Sequence, residues 1–225
     1  MRQLLGAVFT LVFLAGCASS PAPTEVRTYT PPPGPPQVSA PSAAQGSFQP
    51  NAYLRSCGGI YVTNAPPMDD DFWVVDYKPI IVVGQVVMAT APANDVCLSS
   101  GFGIRSTRRH DGIDLQSIPA GPIYSAAPGR VLEARVSTGY GNMVMIDHGG
   151  GVYTRYAHLA HITDGIRPGV EVGFGQQIGM MGRSGNATAI HLHFEILTGN
   201  YNNPKGSKGL NPRNPFEFPA YEPGN

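Results

Sequence analysis

Two histidines one residue apart, His191 and His193, lie in the apolar run Ala189-Ile190-His191-Leu192-His193-Phe194-Glu195. In a β-strand, side chains at i and i+2 share a face. The two imidazoles would therefore project together, while Leu192 and Phe194 turn into a core. Converging imidazoles suit a metal ligand beside a catalytic group, although a lone His-x-His more often marks ordinary, partly buried histidines. Upstream, His110 and Asp114 offer one nitrogen and one carboxylate oxygen. Residues four apart share a face in a helix and in a strand. Gly112 and the strand-like residues around it favour an extended segment, with Gly112 leaving room for a metal on that face. Combined, the two motifs supply a His/Asp/His donor set. Three protein ligands with an open fourth position make a catalytic zinc site, whereas a structural site would use four protein ligands and more cysteine.

These residues need a rigid sheet to hold them. The chain has 225 residues, with 28 Gly and 22 Pro. That punctuation suits a turn-rich, mainly β protein more than a helical bundle. From Gly101 onward, short strand-like runs recur between glycine turns: Arg130 to Val136, Asn142 to Asp147, and Val152 to His158. An antiparallel sheet fold is expected. Lys plus Arg equals Asp plus Glu, 15 each. This balance lacks the basic excess of a nucleic-acid binder, so no nucleic acid is expected as a partner.

The N-terminus reads as a targeting segment. Met1-Arg2-Gln3 precedes an apolar stretch that ends at small residues before Cys17, too short to span a bilayer as a helix. Leu14-Ala15-Gly16-Cys17 resembles the bacterial lipobox, which implies a signal peptide over 1–16 and lipidation of Cys17. Ser19 in place of Asp then implies the outer membrane of a Gram-negative cell, reached from the periplasmic side. Residues 17–50, rich in Pro, Ala and Ser, read as a disordered tether after the lipid anchor. In an exported chain the remaining cysteines, Cys57 and Cys97, are expected to pair.

Residues 51–98 carry short strands at Ile60-Tyr61-Val62 and Phe72-Trp73-Val74-Val75. A longer strand or a hairpin broken at Gly84 follows over Ile80 to Met88. Asp69-Asp70-Asp71 reads as a solvated turn, since no calcium loop follows. This region either extends the β core or lies over the active site; both remain open. The main domain is expected over 99–219, with a tail over 220–225.

His110 to Asp114, Tyr156-Ala157-His158-Leu159 and His191-Leu192-His193-Phe194-Glu195 together resemble the lysostaphin-like (LytM-type) zinc endopeptidases, over about Gly101 to Phe216. The resemblance implies an antiparallel β-sandwich-like core with a substrate groove. It implies one Zn²⁺ on His110, Asp114 and His193, and His158 and His191 as catalytic groups that do not bind metal. It further implies peptidoglycan as substrate, cut in its peptide cross-links or stems; a Gram-negative envelope would offer D-Ala–diaminopimelate bonds. Ala189, where the family commonly has Gly, and the short Arg105–His110 run depart from the pattern. A non-catalytic regulator of the same fold, activating a cell-wall amidase as its protein partner, is the alternative. Glu195 is either an outer partner of a ligand imidazole or an ordinary structural acid. His148 is expected in a turn and His161 on the surface. Arg105, Arg108, Arg109 and Arg155 are expected to be solvated.

Overall fold

The computed structural model describes residues 48–59, 62, 64–105 and 108–223. The expected signal peptide, Cys17, most of the tether and two residues of the Ile60-Tyr61-Val62 segment lie outside the described residues. Among the described residues, regular structure consists of β-strands and two short 3-10 turns. The strands are β1 (Ile80–Val83), β2 (Val86–Ala89), β3 (Cys97–Ser100), β4 (Gly103–Arg105), β5 (Arg108–His110), β6 (Ile113–Gln116), β7 (Pro122–Tyr124) and β8 (Gly129–Ser137). They continue with β9 (Gly141–Asp147), β10 (Val152–Leu159), β11 (His161–Ile162), β12 (Glu171–Val172), β13 (Gln177–Met180), β14 (Leu192–Thr198) and β15 (Asn211–Arg213). The expected mainly β, antiparallel fold is what the chain adopts.

The largest sheet runs in the order β12-β8-β9-β10-β14-β6-β3, with β15 also pairing β14. All of its ladders are antiparallel. A smaller sheet, β11-β13-β7, and two hairpins, β1-β2 and β4-β5, complete the fold. The central strands β10 and β14 are buried almost throughout. Alternation divides their side chains. Tyr156, Leu192, Phe194 and Ile196 enter the main apolar cluster, while Tyr153, Ala157 and Leu197 join a smaller one with Met143 and Met145. His193 and Glu195 share the second face.

The apolar side sets this register. A one-residue slip of β14 would place His193 and Glu195 in the main cluster and expose Leu192 and Phe194. Each large apolar side chain gains roughly 1.5–3 kcal/mol from burial, and buried unpaired charges would cost more still. The slip is therefore heavily disfavoured.

Residues 54–98 share the main cluster with the rest of the chain. Leu54, Val74, Ile81, Val83 and Met88 pack in it beside Leu98, Ile113 and Phe194. A disulfide joins Cys57 to Cys97, as expected from the cysteine count, and Ser56 bridges Leu98. The run over Ile80–Ala89 is a hairpin turning at Gly84 (φ 61°). Phe72–Val75 differs from expectation. It makes only isolated bridges, at Trp73 and Val74, because left-handed φ values at Phe72 (63°) and Asp76 (55°) interrupt the extended backbone on either side. Asp69 accepts from the amides of Asp71 and Trp73, closing the expected turn.

Candidate metal centre

Two neighbouring strands of the large sheet and the end of the β4-β5 hairpin bring the donor set together. In the β14–β6 ladder His193 lies opposite Asp114, and in the β10–β14 ladder Arg155 lies opposite Glu195. His110 closes β5. The sequence suggested one extended segment carrying both His110 and Asp114; instead the chain breaks between β5 and β6 at Asp111 and Gly112. Gly112 serves a different purpose from the one its position suggested. A Cβ there would lie 2.3 Å from the Phe194 carbonyl oxygen and 3.0 Å from His193 Cε1. Glycine lets this bend press against β14.

His110 Nε2 lies 3.0 Å from Asp114 Oδ1 and 3.0 Å from His193 Nδ1, and His193 Nδ1 lies 2.9 Å from Asp114 Oδ1. The outer nitrogens decide what these atoms can offer. His110 Nδ1 donates to the Gly101 carbonyl at 2.6 Å. His193 Nε2 donates to Glu195 Oε1 at 2.9 Å. Each anchored N–H leaves a lone pair on the inner nitrogen. Two nitrogen lone pairs and a carboxylate oxygen therefore converge, all three residues being buried. Such a set is unstable without a positive charge among the three atoms. Its edges are slightly shorter than the roughly 3.3 Å between ligands about 2.0 Å from one tetrahedral Zn²⁺, so the residues fit such an ion with little adjustment.

The electrostatics favour a cation too. Burial would raise the Asp114 carboxyl, but its contacts with the His110 and His193 imidazoles hold it well below the usual carboxylate range. Burial likewise opposes ionisation of Glu195, and His193 and Arg155 more than reverse that. Burial lowers His193, yet the two carboxylates raise it to about 9. Proton and metal would thus compete for the same lone pair.

His191 and His158 face this cluster without joining it. His191 Nε2 is 3.6 Å from Asp114 Oδ1, and the His158 and His191 rings are 4.8 Å apart. His191 Nδ1 donates to the Ala189 carbonyl and His158 Nδ1 to the Ser184 carbonyl. Each imidazole so fixed keeps a basic Nε2. Burial, followed by the neighbouring histidines, holds the His158 pKa below its ordinary value, so this ring is neutral near pH 7.

His158 reaches the cleft through an irregularity. Its φ is 61°, and the β10–β9 register shifts between Tyr156 and Leu159. Simple alternation would send His158 into the main cluster with Tyr156. The bulge turns it to the cleft and returns Leu159 to the apolar side, where it is fully buried. Bulges of this kind re-aim a side chain beside active sites.

Of the four arginines expected to be solvated, Arg105, Arg108 and Arg109 are exposed, and Arg155 departs from expectation. Arg155 is buried, 2.5 Å from Glu195 Oε2. It also donates to the Tyr140 hydroxyl, which in turn donates to Glu195 Oε1. Glu195 is thus an oriented partner of His193 rather than an ordinary structural acid, and Tyr140 and Arg155 are supporting groups that strand patterning did not single out. Their meeting depends on cross-sheet register. Arg105 touches Asp114 Oδ2 at 3.3 Å, and Arg109 pairs with Asp111. His161 is exposed. His148 is buried and bonded to the Pro128 carbonyl and Thr154 Oγ1.

The cluster opens into a cleft of about 420 Å³, rimmed by Arg105, Arg109, Tyr140, Asn186 and Thr188. Among the described residues, 51–98 contribute nothing to its lining; those described extend the core instead of covering the site.

An antiparallel β fold carries a buried His/Asp/His cluster that could hold a metal ion, beside two further histidines. Residues 108–205 match the model of peptidase family M23. The peptidoglycan DD-endopeptidase ShyA of Vibrio cholerae is 39% identical over 89 residues, covering 39% of this chain and 20% of that protein. The DD-carboxypeptidase/endopeptidase Mpg of Neisseria meningitidis is 38% identical over 104 residues, 44% of this chain and 24% of that protein. The cell division protein DipM of Caulobacter vibrioides is 33% identical over 120 residues, 52% and 19%. The chain thus spans only a small part of these relatives' length. A zinc-containing peptidase from Vibrio cholerae superposes with a TM-score of 0.50 at 25% identity, over 63% of this chain and 46% of that one.

Proposed function

We propose that this protein is a zinc-dependent endopeptidase that cuts peptide cross-links or stems of peptidoglycan during cell-wall remodelling. The observation that carries this reading is the convergence of three buried lone-pair donors beside two imidazoles whose Nδ1–H groups are tied to carbonyls. The relatives named as peptidoglycan DD-endopeptidases support the substrate class. In a Gram-negative envelope the bond cut would be the D-Ala–diaminopimelate amide. The N-terminal sequence supports lipidation at Cys17 and tethering to the outer membrane, facing the periplasm.

His110 through Nε2, Asp114 through Oδ1 and His193 through Nδ1 would hold the ion. When bound, Zn²⁺ supplies Lewis acidity for the scissile carbonyl and makes water acidic near pH 7. His191 and His158, through Nε2, take the proton from the attacking water, return one to the leaving amine and donate to the developing oxyanion. Glu195 keeps the His193 proton on Nε2, so that Nδ1 stays available.

The alternative is an amidase-activating regulator, which requires none of these five side chains; their joint presence favours the peptidase. The test is digestion of purified sacculi, with zinc content measured in parallel. The expected result is about one Zn²⁺ per chain and chelator-sensitive loss of cross-linked dimers. In His191→Ala the zinc is retained while hydrolysis falls about 10²–10⁴-fold. Full activity in that variant rejects the mechanism. A zinc-free protein that accelerates a separate amidase favours the regulator.

A further inference from the structure

The carbonyl that anchors His110 belongs to Gly101, between β3 and β4, and Gly101 is itself gripped by a residue far earlier in the chain. Asn64 accepts from the Gly101 amide through Oδ1 at 3.1 Å and from the Ser100 hydroxyl at 3.3 Å. Its Nδ2 donates to the Gly101 carbonyl oxygen. One side-chain amide thus satisfies both the N–H and the C=O of the residue whose carbonyl orients a metal-ligand imidazole. The approach is close enough to demand glycine: a Cβ on Gly101 would lie 1.9 Å from the Asn64 carbonyl oxygen. Asn64 lies outside residues 108–205, the region matched to the peptidase family, and does not line the cleft. It is held in place by its own surroundings. The Ala65 amide donates to Val62, Val75 donates to Pro67, and Met68 bridges Val74.

We propose that Asn64 is a positioning residue for the metal centre: it clamps the Gly101 peptide, whose carbonyl fixes the orientation and tautomer of His110. The segment before the peptidase domain is then a working part of the site, although it never touches substrate. The inference rests on the metal-centre reading above. The physical reason is that a ligand imidazole is only as well aimed as the acceptor of its other N–H. Released from Asn64, the Gly101 peptide is free to rotate, and His110 Nε2 loses its fixed direction toward Asp114 and His193.

The experiment titrates purified wild-type protein, Asn64→Ala and Asn64→Asp with Zn²⁺ against a chromophoric chelator. Absorption spectra of the Co²⁺-loaded proteins and unfolding of the metal-free proteins are recorded alongside. Asn64→Ala is expected to weaken zinc binding by at least about tenfold, the usual scale for losing an outer partner of a ligand, and to shift the Co²⁺ bands. Asn64→Asp retains the acceptor but sets an anionic oxygen against the Gly101 carbonyl. It is nearly isosteric, so it serves should the alanine variant not fold, and it is expected to weaken zinc at least as much. Wild-type affinity and an unshifted Co²⁺ spectrum in a folded variant, with only the metal-free unfolding midpoint altered, overturn the proposal and leave Asn64 a structural residue. A wild-type protein that takes up no zinc overturns the metal-centre reading itself, a different result from a wild type and variant that bind equally.

Discussion

His148 and His193 are almost equally buried, 6% and 7% exposed, yet their surroundings ask opposite things of them. His148 sits at the end of β9 among neutral partners, the Pro128 carbonyl and the Thr154 hydroxyl. Burial dominates there and pushes its pKa down to about 4, with the Pro128 hydrogen bond and Asp147 only partly opposing. His193 sits between the carboxylates of Asp114 and Glu195, which overcome the same burial effect and push it up to about 9. Burial alone therefore does not separate a structural histidine from a candidate ligand. The charge of the groups facing it does, because a carboxylate pair in a poorly solvated site calls for a cation.

Removing the imidazole is the harshest way to probe this contrast. His193→Ala deletes one of three donors and leaves Glu195 facing a void. Zinc content is expected to fall to background and sacculus digestion with it, whereas His148→Asn keeps its zinc. Metal analysis of the two variants side by side checks this.

A subtler change makes the surroundings of His193 resemble those of His148. Glu195→Gln keeps the shape but removes the charge, so the proton on His193 Nε2 is less firmly held. Zinc affinity is expected to drop about 10–100-fold. Arg155 is left buried without its counter-charge, an arrangement that costs up to about 3–5 kcal/mol. Chelator competition and urea unfolding measure the two effects separately.

The smallest effect concerns pH. The folded pKa of His148 lies below its unfolded value of about 6.5. The unfolded chain thus binds the proton first, and stability present above about pH 6.5 is lost as pH falls toward 4. The full loss is about 3 kcal/mol. His148→Asn is expected to flatten that part of the stability profile, measured as the difference between variant and wild type in urea unfolding from pH 7 to 4.5. An unchanged slope would mean that His148 is not held neutral by its pocket.

Much of the site was legible in the sequence where the information is local. The i, i+2 spacing placed His191 and His193 on one side of β14 and Leu192 and Phe194 on the other, and the fold agrees because the apolar side fixes the register. The break at Gly84 and the pairing of Cys57 with Cys97 were legible as well, though the break alone did not decide between a long strand and a hairpin. Other features were not. Phe72–Val75 has strand-like composition but carries left-handed backbone beside it. Arg155 looks like any surface arginine in a strand until Glu195 is brought opposite it.

The sequence by itself determined which chemical groups the chain owns and how they alternate along each strand, since alternation follows from backbone geometry within a few residues. Tertiary structure decided which strands lie side by side, and so which charges meet. It turned His158 toward the cleft through one left-handed residue that local patterning would have buried. It set Arg155 and Tyr140 on Glu195 across strand ladders. It also brought Asn64 to Gly101 across 37 residues of chain. Contacts of this kind depend on register and on chain crossings summed over the whole core, and no short window of residues contains them.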